Sequence, residues 1–364
     1  MKVLIACGGS GGHIFPAIAL AQGLKEKNGG IDLLFVGSNT ALDRRIFEKE
    51  RCRYELISSN KLPYKKSLKV AIFFVKAFLD LARSFIILIR YSPNVVVGFG
   101  GYVASPVVLA AYVLRIPIVV HEQNVVPGRA NAILFRFAKK IAVSFKETKG
   151  YLGRFSDKAV VTGNPIRLTL LKDDRASNIK KLGLSPDKFT VLVVGGSQGA
   201  HKLNDAVLQA VTGLDRRMRS MLQVMHITGI MDYSRASQAY KELDIEHRVF
   251  SFVDNIEEAY SASDLVVTRS GASAIFELAY FGRPMILVPY PFAMSHQTEN
   301  AKVFSSSGAA MQLDEKELSG EAIRTRIEEL FNNRAMLAEM AKKARSLSVP
   351  DSSRKLAFEI LKAA

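Results

Sequence analysis

Two glycine-rich segments contain the residue types that hold phosphate groups. The first, Gly8-Gly9-Ser10-Gly11-Gly12-His13, follows the apolar run Val3–Ala6, and the second, Gly195-Gly196-Ser197-Gln198-Gly199, follows Val191–Val194. Glycine lets the backbone approach a ligand closely, and the N–H groups at the start of the next helix can hold anionic oxygens. Turns of this kind are common, so each one alone indicates only a phosphate or pyrophosphate site.

Several familiar phosphate and metal motifs are missing from the sequence. The G-x-G-x-x-G spacing is absent, and the second apolar run ends in Gly37-Ser38-Asn39 with no acidic residue for a ribose hydroxyl. The lack of a G-x-x-x-x-G-K-[ST] segment argues against a P-loop NTPase. The Asp-x-Asp motif of many metal-dependent sugar-nucleotide enzymes is also missing, and the six histidines and two cysteines form no ligand cluster.

His13 is the candidate general base because it follows the first glycines directly. At a helix N-terminus the dipole disfavours the imidazolium, so the ring stays neutral and can accept a proton from a hydroxyl. A histidine that only hydrogen-bonds the glycine loop would have the same sequence. Geometry, rather than residue type, decides between these two roles.

A third turn of small residues, Arg269-Ser270-Gly271-Ala272-Ser273, follows the apolar run Leu265–Thr268. Its small side chains would let a diphosphate lie on the start of the next helix. Glu277, one turn further, could accept two vicinal hydroxyls of a ribose. The ordinary alternative is an acid that complements the helix dipole. Gln297 lies after a later strand, where polar side chains suit ligand recognition.

Short apolar runs alternate with longer amphipathic segments along the whole chain, which is typical of βα units around a parallel sheet. Residues 3–13 align without a gap on residues 191–201 as strand, glycine turn and helix start. A length of 364 residues suits two domains. We therefore predict doubly wound α/β domains at 1–164 and 165–340. Periodicity does not show where the C-terminal helix in 341–364 packs, and a return to the first domain is one arrangement open to it. The predicted strands are Val3–Ala6, Leu33–Val36, Val95–Val97, Ile118–Val120, Ile141–Val143, Val191–Val194, Leu222–Ile227, Leu265–Thr268 and Met285–Val288, and the predicted C-terminal helices are Glu321–Met340 and Ser352–Ala363.

Basic charge is concentrated in the first half of the chain. Residues 1–164 hold 24 Lys and Arg against 10 Asp and Glu, whereas residues 165–364 hold 26 against 24. This asymmetry indicates an anionic partner: nucleic acid, an acidic membrane or a phosphorylated substrate. Nucleic acid is disfavoured because no binding motif accompanies the charge. The composition excludes a disordered or collagen-like chain, and two cysteines without an export signal suit a reducing cytosol.

Residues 61–90 combine seven basic residues and one acid with many large apolar side chains. The charges interrupt the segment too often for a spanning helix, but a basic helix with surplus apolar residues can lie in the membrane interface. A core helix packed on the sheet is the alternative for most of these apolar residues. The predicted membrane patch consists of Ile72, Phe73, Phe78, Lys69 and Lys76.

An ordered series of segments carries a family resemblance. The segments are Gly8–Pro16, Gly98-Phe99-Gly100-Gly101-Tyr102, His121-Glu122-Gln123-Asn124, Thr162-Gly163-Asn164-Pro165-Ile166-Arg167, Gly195–Ala200, Arg269–Glu277 and His296-Gln297. Together they resemble the glucosaminyltransferase family of peptidoglycan synthesis, which converts undecaprenyl-diphospho-N-acetylmuramoyl-pentapeptide (lipid I) to lipid II. Each segment alone is weak, but the ordered set spans about residues 8–300 and is specific.

The resemblance implies a glycosyltransferase fold of the B type, with two doubly wound Rossmann-like domains facing a cleft, and an inverting transfer from UDP-N-acetylglucosamine. It implies no tightly bound metal or organic cofactor. It also implies a peripheral protein on the cytoplasmic face of the cell membrane, with an anionic membrane surface, lipid I and other cell-wall enzymes as candidate partners. The implied donor site contains Ser10, Gly11, Gly12, Asn124, Arg167, Ser197, Val253, Ala272, Ser273, Glu277 and Gln297, and the implied acceptor site contains Gly9, Gly100, Gly101 and Tyr102.

The sequence departs from the family pattern at three positions. Ser10 stands where threonine is expected, His296 stands where glutamine is frequent, and Phe276 is bulky for its turn. These departures leave the donor contacts open. Three other functions fit the residues: a glycolipid synthase that uses diacylglycerol, a UDP-sugar epimerase on the same fold, and a nucleotide-binding module without enzymatic activity.

Overall fold

The structure is a computed structural model that describes residues 1–58, 68–167, 174–195, 200–291 and 296–364, with only the backbone described for residues 68–71. The chain folds into two compact units. Unit 1 consists of Met1–Leu168 together with Val349–Ala364, and unit 2 consists of Thr169–Ser348. The last helix of the chain therefore belongs to unit 1.

Unit 1 is built around seven parallel strands in the order β3-β2-β1-β4-β5-β6-β7. The central strands are near-continuous runs of apolar residues, as strands buried on both faces must be. Val3 pairs with Leu33 of one neighbour and with Val95 of the other. The elements are β1 (Lys2–Ala6), α1 (Gly11–Lys27), β2 (Asp32–Ser38), α2 (Ala41–Lys49), β3 (Tyr54–Ile57), α3 (Leu68–Tyr91), β4 (Val95–Gly98), α4 (Gly101–Val113), β5 (Ile118–Glu122), α5 (Arg129–Leu134), β6 (Lys140–Val143) and β7 (Ala159–Val161).

Unit 2 has six parallel strands in the order β10-β9-β8-β11-β12-β13. Its elements are α6 (Arg175–Lys181), β8 (Phe189–Val194), α7 (His201–Thr212), α8 (Arg216–Met221), β9 (Leu222–Ile227), α9 (Tyr233–Lys241), β10 (Glu246–Phe250), α10 (Ile256–Ala262), β11 (Leu265–Thr268), α11 (Ala272–Tyr280), β12 (Met285–Leu287), α12 (His296–Ser306), β13 (Ala310–Gln312), α13 (Gly320–Asn332) and α14 (Arg334–Leu347), and α15 (Ser352–Ala363) completes the chain.

Helices cover both faces of the first sheet. Alternate residues of β1 point to opposite faces, so Val3 and Ile5 belong to one buried cluster and Leu4 and Ala6 to another. The first cluster includes residues of α1, α2 and α15, and the second includes residues of α3, α4 and α5. A close approach joins α1 to α15, because a Cβ atom on Gly23 would lie 2.9 Å from the carbonyl oxygen of Ser353. This packing confirms the predicted doubly wound architecture for unit 1.

The predicted strands are all present, but the C-terminal helical prediction is wrong in one place. A single helix over Glu321–Met340 is predicted, whereas the structure has α13 and α14 with a break at Asn333. The Asn333 side chain accepts a hydrogen bond from the Met336 N–H at 3.0 Å, which caps the new helix. The predicted helix Ser352–Ala363 is confirmed.

Candidate active site

The first sheet reverses its strand order between β1 and β4, since β2 lies beyond β1 and β5 lies beyond β4. Ligands of parallel α/β sheets bind outside the carboxyl ends of the strands at such a switch point. Helix α1 follows β1 and helix α4 follows β4, and their N-terminal ends meet there. A Cβ atom on Gly101 would lie 3.4 Å from Nδ1 and Cε1 of His13.

The predicted acceptor glycines adopt conformations that other residues rarely reach. The φ angle is +78° at Gly9, +87° at Gly100 and +74° at Gly101. Gly100 is buried beside Asn131, whose Oδ1 would lie 3.0 Å from an added Cβ atom. Tyr102 is 45% exposed in the first turn of α4. Of these residues, Gly101 presents backbone rather than a side chain to His13.

The His13 ring is partly buried, and both of the hydrogen-bond contacts given below involve its Nδ1 atom. Its Nδ1 atom lies 3.3 Å from the carbonyl oxygen of Gly8 and 3.2 Å from the hydroxyl of Ser10. A carbonyl oxygen only accepts hydrogen bonds, so the contact with Gly8 is a hydrogen bond in the tautomer that carries its proton on Nδ1. In that neutral ring Nε2 carries the lone pair that can accept a proton.

Burial lowers the pKa of His13 below its ordinary value, and Glu122, the Gly8 carbonyl and Asp43 act in the opposite direction. The lowered pKa keeps the ring neutral near pH 7. The carboxylates of Glu122 and Asp43 favour the charged ring and would stabilise the imidazolium that forms when the base takes a proton.

Glu122 ends β5 as a buried carboxylate with four hydrogen-bond donors. Oε1 accepts from the backbone N–H and the side-chain amide of Asn124 at 2.9 and 3.2 Å. Oε2 accepts from the Gly128 N–H at 3.0 Å and from Asn131 Nδ2 at 2.7 Å. Glu122 lies in the segment His121-Glu122-Gln123-Asn124 of the family resemblance, which implies no role for it. In the structure it fixes Asn124 and the start of α5.

The donor residues predicted in the first half of the chain all lie in unit 1. Ser10 is the N-cap of α1, and Gly11 and Gly12 form its first turn. Asn124 follows β5 beside Glu122. Arg167 is buried with its guanidinium 4.6 Å from the centre of the Phe15 ring on α1, although the sequence analysis assigns it to the second domain.

The second sheet has its switch point between β8 and β11. The Thr268 hydroxyl donates to the Val194 carbonyl at 3.2 Å, so the ends of these two strands are joined. The chain leaves β8 through Gly195, where a Cβ atom would lie 3.1 Å from the Ala200 nitrogen. Ser197 lies in this loop, outside the described residues. The glycine turn and α11 therefore start from neighbouring strands.

The start of α11 presents small residues at this switch point. Ala272 is buried and Ser273 half-buried in its first turn, and Glu277 is buried one turn later. Phe276, which is bulky for the family pattern, points into the core and packs edge-on against Phe304 at 5.9 Å. The bulky side chain thus packs on α12, and the first turn of the helix keeps its small side chains.

Gln297 is tied to the same turn by hydrogen bonds. The Ser270 hydroxyl donates to the Gln297 carbonyl at 2.8 Å, and Gln297 Oε1 accepts from the Tyr290 N–H at 3.0 Å. Ser270 also binds Asn300 Nδ2 through its carbonyl at 3.2 Å. Val253 is half-buried after β10, on the far side of β9 from this turn. The structure therefore joins Gln297 to the α11 turn, while Val253 lies at the outer strand.

The α3 helix carries a row of exposed apolar side chains. Phe78 is 70% exposed and Ile72 is 48% exposed, both members of the predicted membrane patch, and Lys76 is exposed beside them. Phe73 is half-buried against Phe74, and the Lys69 side chain lies outside the described part of the chain. Further exposed members that the sequence analysis did not assign to the patch are Phe74, Val75, Leu79, Ile86 and Ile89.

Across the ranges that the structure covers, no helix has both the length and the apolar character needed to cross a membrane. Within the same ranges, no group of three or more His, Cys, Asp and Glu side chains is placed to hold a metal ion.

Comparison with known families assigns the class. Residues 3–143 match the Glycosyltransferase family 28 N-terminal domain, and residues 190–356 match the Glycosyltransferase family 28 C-terminal domain. The chain belongs to glycosyltransferase family 28.

Curated relatives match almost the whole chain. A protein of Halothermothrix orenii is 38% identical over 362 residues, which cover 96% of this chain and 95% of the relative. A protein of Bacillus cytotoxicus is 36% identical over 368 residues and covers 100% and 99%. Both are named UDP-N-acetylglucosamine--N-acetylmuramyl-(pentapeptide) pyrophosphoryl-undecaprenol N-acetylglucosamine transferase.

Solved structures agree with this comparison. The crystal structure of Acinetobacter baumannii MurG matches with a TM-score of 0.77 and 29% identity, and the match covers 99% of each chain. A UDP-GlcNAc 2-epimerase from Neisseria meningitidis matches with a TM-score of 0.71 at 14% identity, over 100% of each chain, which shows a common fold alone. The two-domain B-type fold is thereby confirmed.

The buried ring of His121, next to Glu122, predicts a loss of stability in acid. Its pKa is lowered by burial from 6.5 to about 4, and Gln123 donates to its Nδ1 at 3.0 Å. Between these pH values the unfolded chain binds a proton that the folded chain does not. The contribution of the neutral His121 ring to the stability of the folded chain is therefore fully present above pH 6.5. It is lost as the pH falls toward 4.

We expect this group to remove about 2 kcal/mol of the free energy of unfolding between pH 8 and pH 5. Denaturant titrations of the wild type and His121→Asn at both pH values measure it. The variant should be less stable at pH 8 and should lose less stability on acidification. Equal losses in the two proteins would contradict the assignment.

Proposed function

We propose that this chain is an inverting glycosyltransferase that moves N-acetylglucosamine from UDP-N-acetylglucosamine to the 4-hydroxyl of the muramoyl sugar of lipid I, giving lipid II for peptidoglycan. The observation that carries the proposal is 34–38% identity, over at least 96% of the chain, to curated transferases named for these substrates. We assign the acceptor and the membrane to residues 1–164 and the donor to residues 165–340.

In this mechanism His13 is the general base. The muramoyl 4-hydroxyl gives its proton to Nε2 of His13 while its oxygen attacks the anomeric carbon of the donor, and UDP leaves. Nδ1 stays bound to the Gly8 carbonyl throughout, which holds the ring in the productive tautomer. Gly9, Gly100, Gly101 and Tyr102 would line the place of the lipid diphosphate, where N–H groups at the starts of α1 and α4 can hold anionic oxygens, while the Gly9 N–H itself is bound to Asp43.

The donor would lie on the second switch point. The N–H groups at the start of α11 can hold the diphosphate, with Ala272 and Ser273 leaving space for it. Glu277 would accept the ribose hydroxyls, and Val253 would contact the nucleotide, as in the family resemblance. Gln297 and Asn124 are assigned to the sugar, and Ser197 to the diphosphate.

The leaving diphosphate gains negative charge as the glycosidic bond breaks. The proposal assigns its stabilisation to the chain's own groups, the N-terminus of α11 and the guanidinium of Arg167, and includes no cofactor. Ser10, Gly11 and Gly12 at the start of α1 are assigned to the donor from the other unit. Preorganised N–H dipoles need little rearrangement during the reaction, which is why they serve this purpose well.

A transfer assay tests this function against its alternatives. Labelled UDP-N-acetylglucosamine and a lipid I analogue with a short prenyl chain should give a disaccharide product, whereas diacylglycerol should give none. An epimerase would instead isomerise the donor sugar without any acceptor. The transferase relatives are at least 34% identical and the epimerase structures at most 15%, which favours transfer.

His13→Ala should lower the turnover number about 10²–10⁴-fold, the usual contribution of a general base. His247→Ala removes a histidine of β10 in unit 2 and serves as the matched control with near wild-type turnover. If His13→Ala kept a turnover number close to that of the wild type, His13 would not be the general base. Absence of transfer by the wild type to the lipid I analogue would refute the proposed function itself.

We further assign the exposed row of α3 to the surface of an anionic membrane, at the cytoplasmic face of the cell membrane where lipid I would be reached. Phe74 and Phe78 are 63% and 70% exposed on a helix with Lys76 and Arg83 beside them. Apolar side chains in the acyl boundary and cations near anionic headgroups both favour binding.

The double variant Phe74→Ser, Phe78→Ser should bind vesicles that contain phosphatidylglycerol at least about tenfold more weakly than wild type, because burying one phenylalanine is worth about 1.5–3 kcal/mol. Sedimentation with the vesicles measures the affinity. Phe358→Ser, at a 43% exposed position of α15, is the control. Equal affinity of the double variant and the control would contradict the assignment to α3.

A further inference from the structure

We propose that Asp43 is a positioning residue for His13 and acts through the single peptide group that joins Gly8 to Gly9. The carboxylate holds the N–H end of this group, and the imidazole is bound to its carbonyl end. The inference rests on the proposed function, since it takes His13 to be the base of the transfer.

Asp43 is fully buried near the start of α2, and its carboxylate is surrounded by donors. The Gly9 N–H lies 3.2 Å from Oδ1 and 3.1 Å from Oδ2. Oδ2 also accepts from the N–H and hydroxyl of Ser38 at 2.8 and 2.7 Å, and Oδ1 accepts from the Thr40 hydroxyl at 2.8 Å. The negative charge is thus satisfied within the fold and fixed in place.

The bridging peptide transmits this position to the imidazole. The N–H and C=O of a trans peptide point in opposite directions within a rigid plane. Asp43 fixes the N–H of Gly9, so the carbonyl of Gly8 must point the other way, and there it lies 3.3 Å from Nδ1 of His13. A hydrogen bond at one end of a peptide group strengthens the bond at the other end. The carboxylate therefore favours the proton on Nδ1.

The orientation of the Gly8 carbonyl determines which of two groups, this carbonyl or the Ser10 hydroxyl, hydrogen-bonds to Nδ1. The Ser10 hydroxyl, at 3.2 Å, could donate to an unprotonated Nδ1 and so favour the other tautomer. The Gly8 carbonyl can only accept. A carbonyl polarised by Asp43 outcompetes the hydroxyl donor, which leaves Nε2 as the proton acceptor.

The loop leaves no space for a side chain between the carboxylate and the peptide. A Cβ atom on Gly8 would lie 2.4 Å from Asp43 Oδ2 and 2.8 Å from the Ser38 nitrogen. Glycine at position 8 is therefore what allows the carboxylate to reach the backbone. The cap of α2, in which the Thr40 hydroxyl accepts from the Asp43 N–H, does not account for the bond between the Asp43 carboxylate and Gly9, which is 34 residues away in the sequence.

Two variants separate positioning from capping. Asp43→Asn keeps the size of the side chain but removes its charge and places an amide beside donors. Thr40→Ala removes the capping hydroxyl and its hydrogen bond to Oδ1, while the groups of Gly9 and Ser38 still donate to the carboxylate. Asp215→Asn is the matched control, because Asp215 caps α8 in unit 2 through the Met218 N–H at 2.7 Å.

We expect Asp43→Asn to lower the turnover number about tenfold and to change the KM for UDP-N-acetylglucosamine less than twofold. Among the described residues, the charged groups that act on the pKa of His13 are Glu122 on β5 and Asp43 on α2, and each raises it. Loss of the Asp43 charge should therefore move the acidic limb of the kcat/KM profile to lower pH. Thr40→Ala and Asp215→Asn should change thermal stability and leave this limb unmoved.

Nitrogen NMR of the His13 imidazole tests the same inference without activity. The wild type should show the Nδ1–H form, and Asp43→Asn should show an increased share of the Nε2–H form, with His13→Gln used to assign the signals. An Nε2–H ring in the wild type, or an unchanged tautomer and pH profile in Asp43→Asn, would overturn the inference. A wild type that shows the Nδ1–H form without transfer would refute only the proposed function.

Discussion

The first N–H groups of an α-helix have no partner within the helix, and a parallel sheet that reverses its strand order brings two such helix ends together. This constraint organises both units. In unit 1 the ends of α1 and α4 meet at His13, and in unit 2 Gly195 and the start of α11 follow the neighbouring strands β8 and β11. In the proposed function, backbone dipoles at these helix ends face an anionic substrate, and each unit supplies one site for a phosphorylated molecule.

The central strands were predictable because burial on both faces forces a continuous apolar run. The four strands that the sequence analysis did not predict are β3, β7, β10 and β13, and they form the edges of the two sheets. An edge strand needs fewer apolar residues, and β10, Glu-His-Arg-Val-Phe, contains three polar side chains. The break at Asn333 was missed for a different reason, since a hydrophobic pattern continues through a helix start that a single side chain caps.

The glycine loops and His13 of the candidate site were predictable from the sequence, whereas the buried carboxylate of Asp43 was not. The segments Gly8–His13 and Gly98–Tyr102 stand out in the sequence because several glycines follow an apolar strand. Asp43 gives only the spacing Thr40-x-x-Asp43 of a helix start, and nothing in the sequence relates it to Gly9. Its contact with the loop depends on β1 and β2 being neighbours, which is a property of the sheet. Tertiary pairing of this kind is what a local pattern cannot contain.

The account depends on the donor being held by unit 2 at the start of α11, so that His13 in unit 1 is left for the acceptor. The most direct test is a crystal structure of the protein with UDP-N-acetylglucosamine bound. The diphosphate oxygens should lie within hydrogen-bond distance of the N–H groups of Ala272 and Ser273, with the ribose hydroxyls on the Glu277 carboxylate. A nucleotide bound instead on Gly8–Gly12, with the start of α11 empty, would contradict the account.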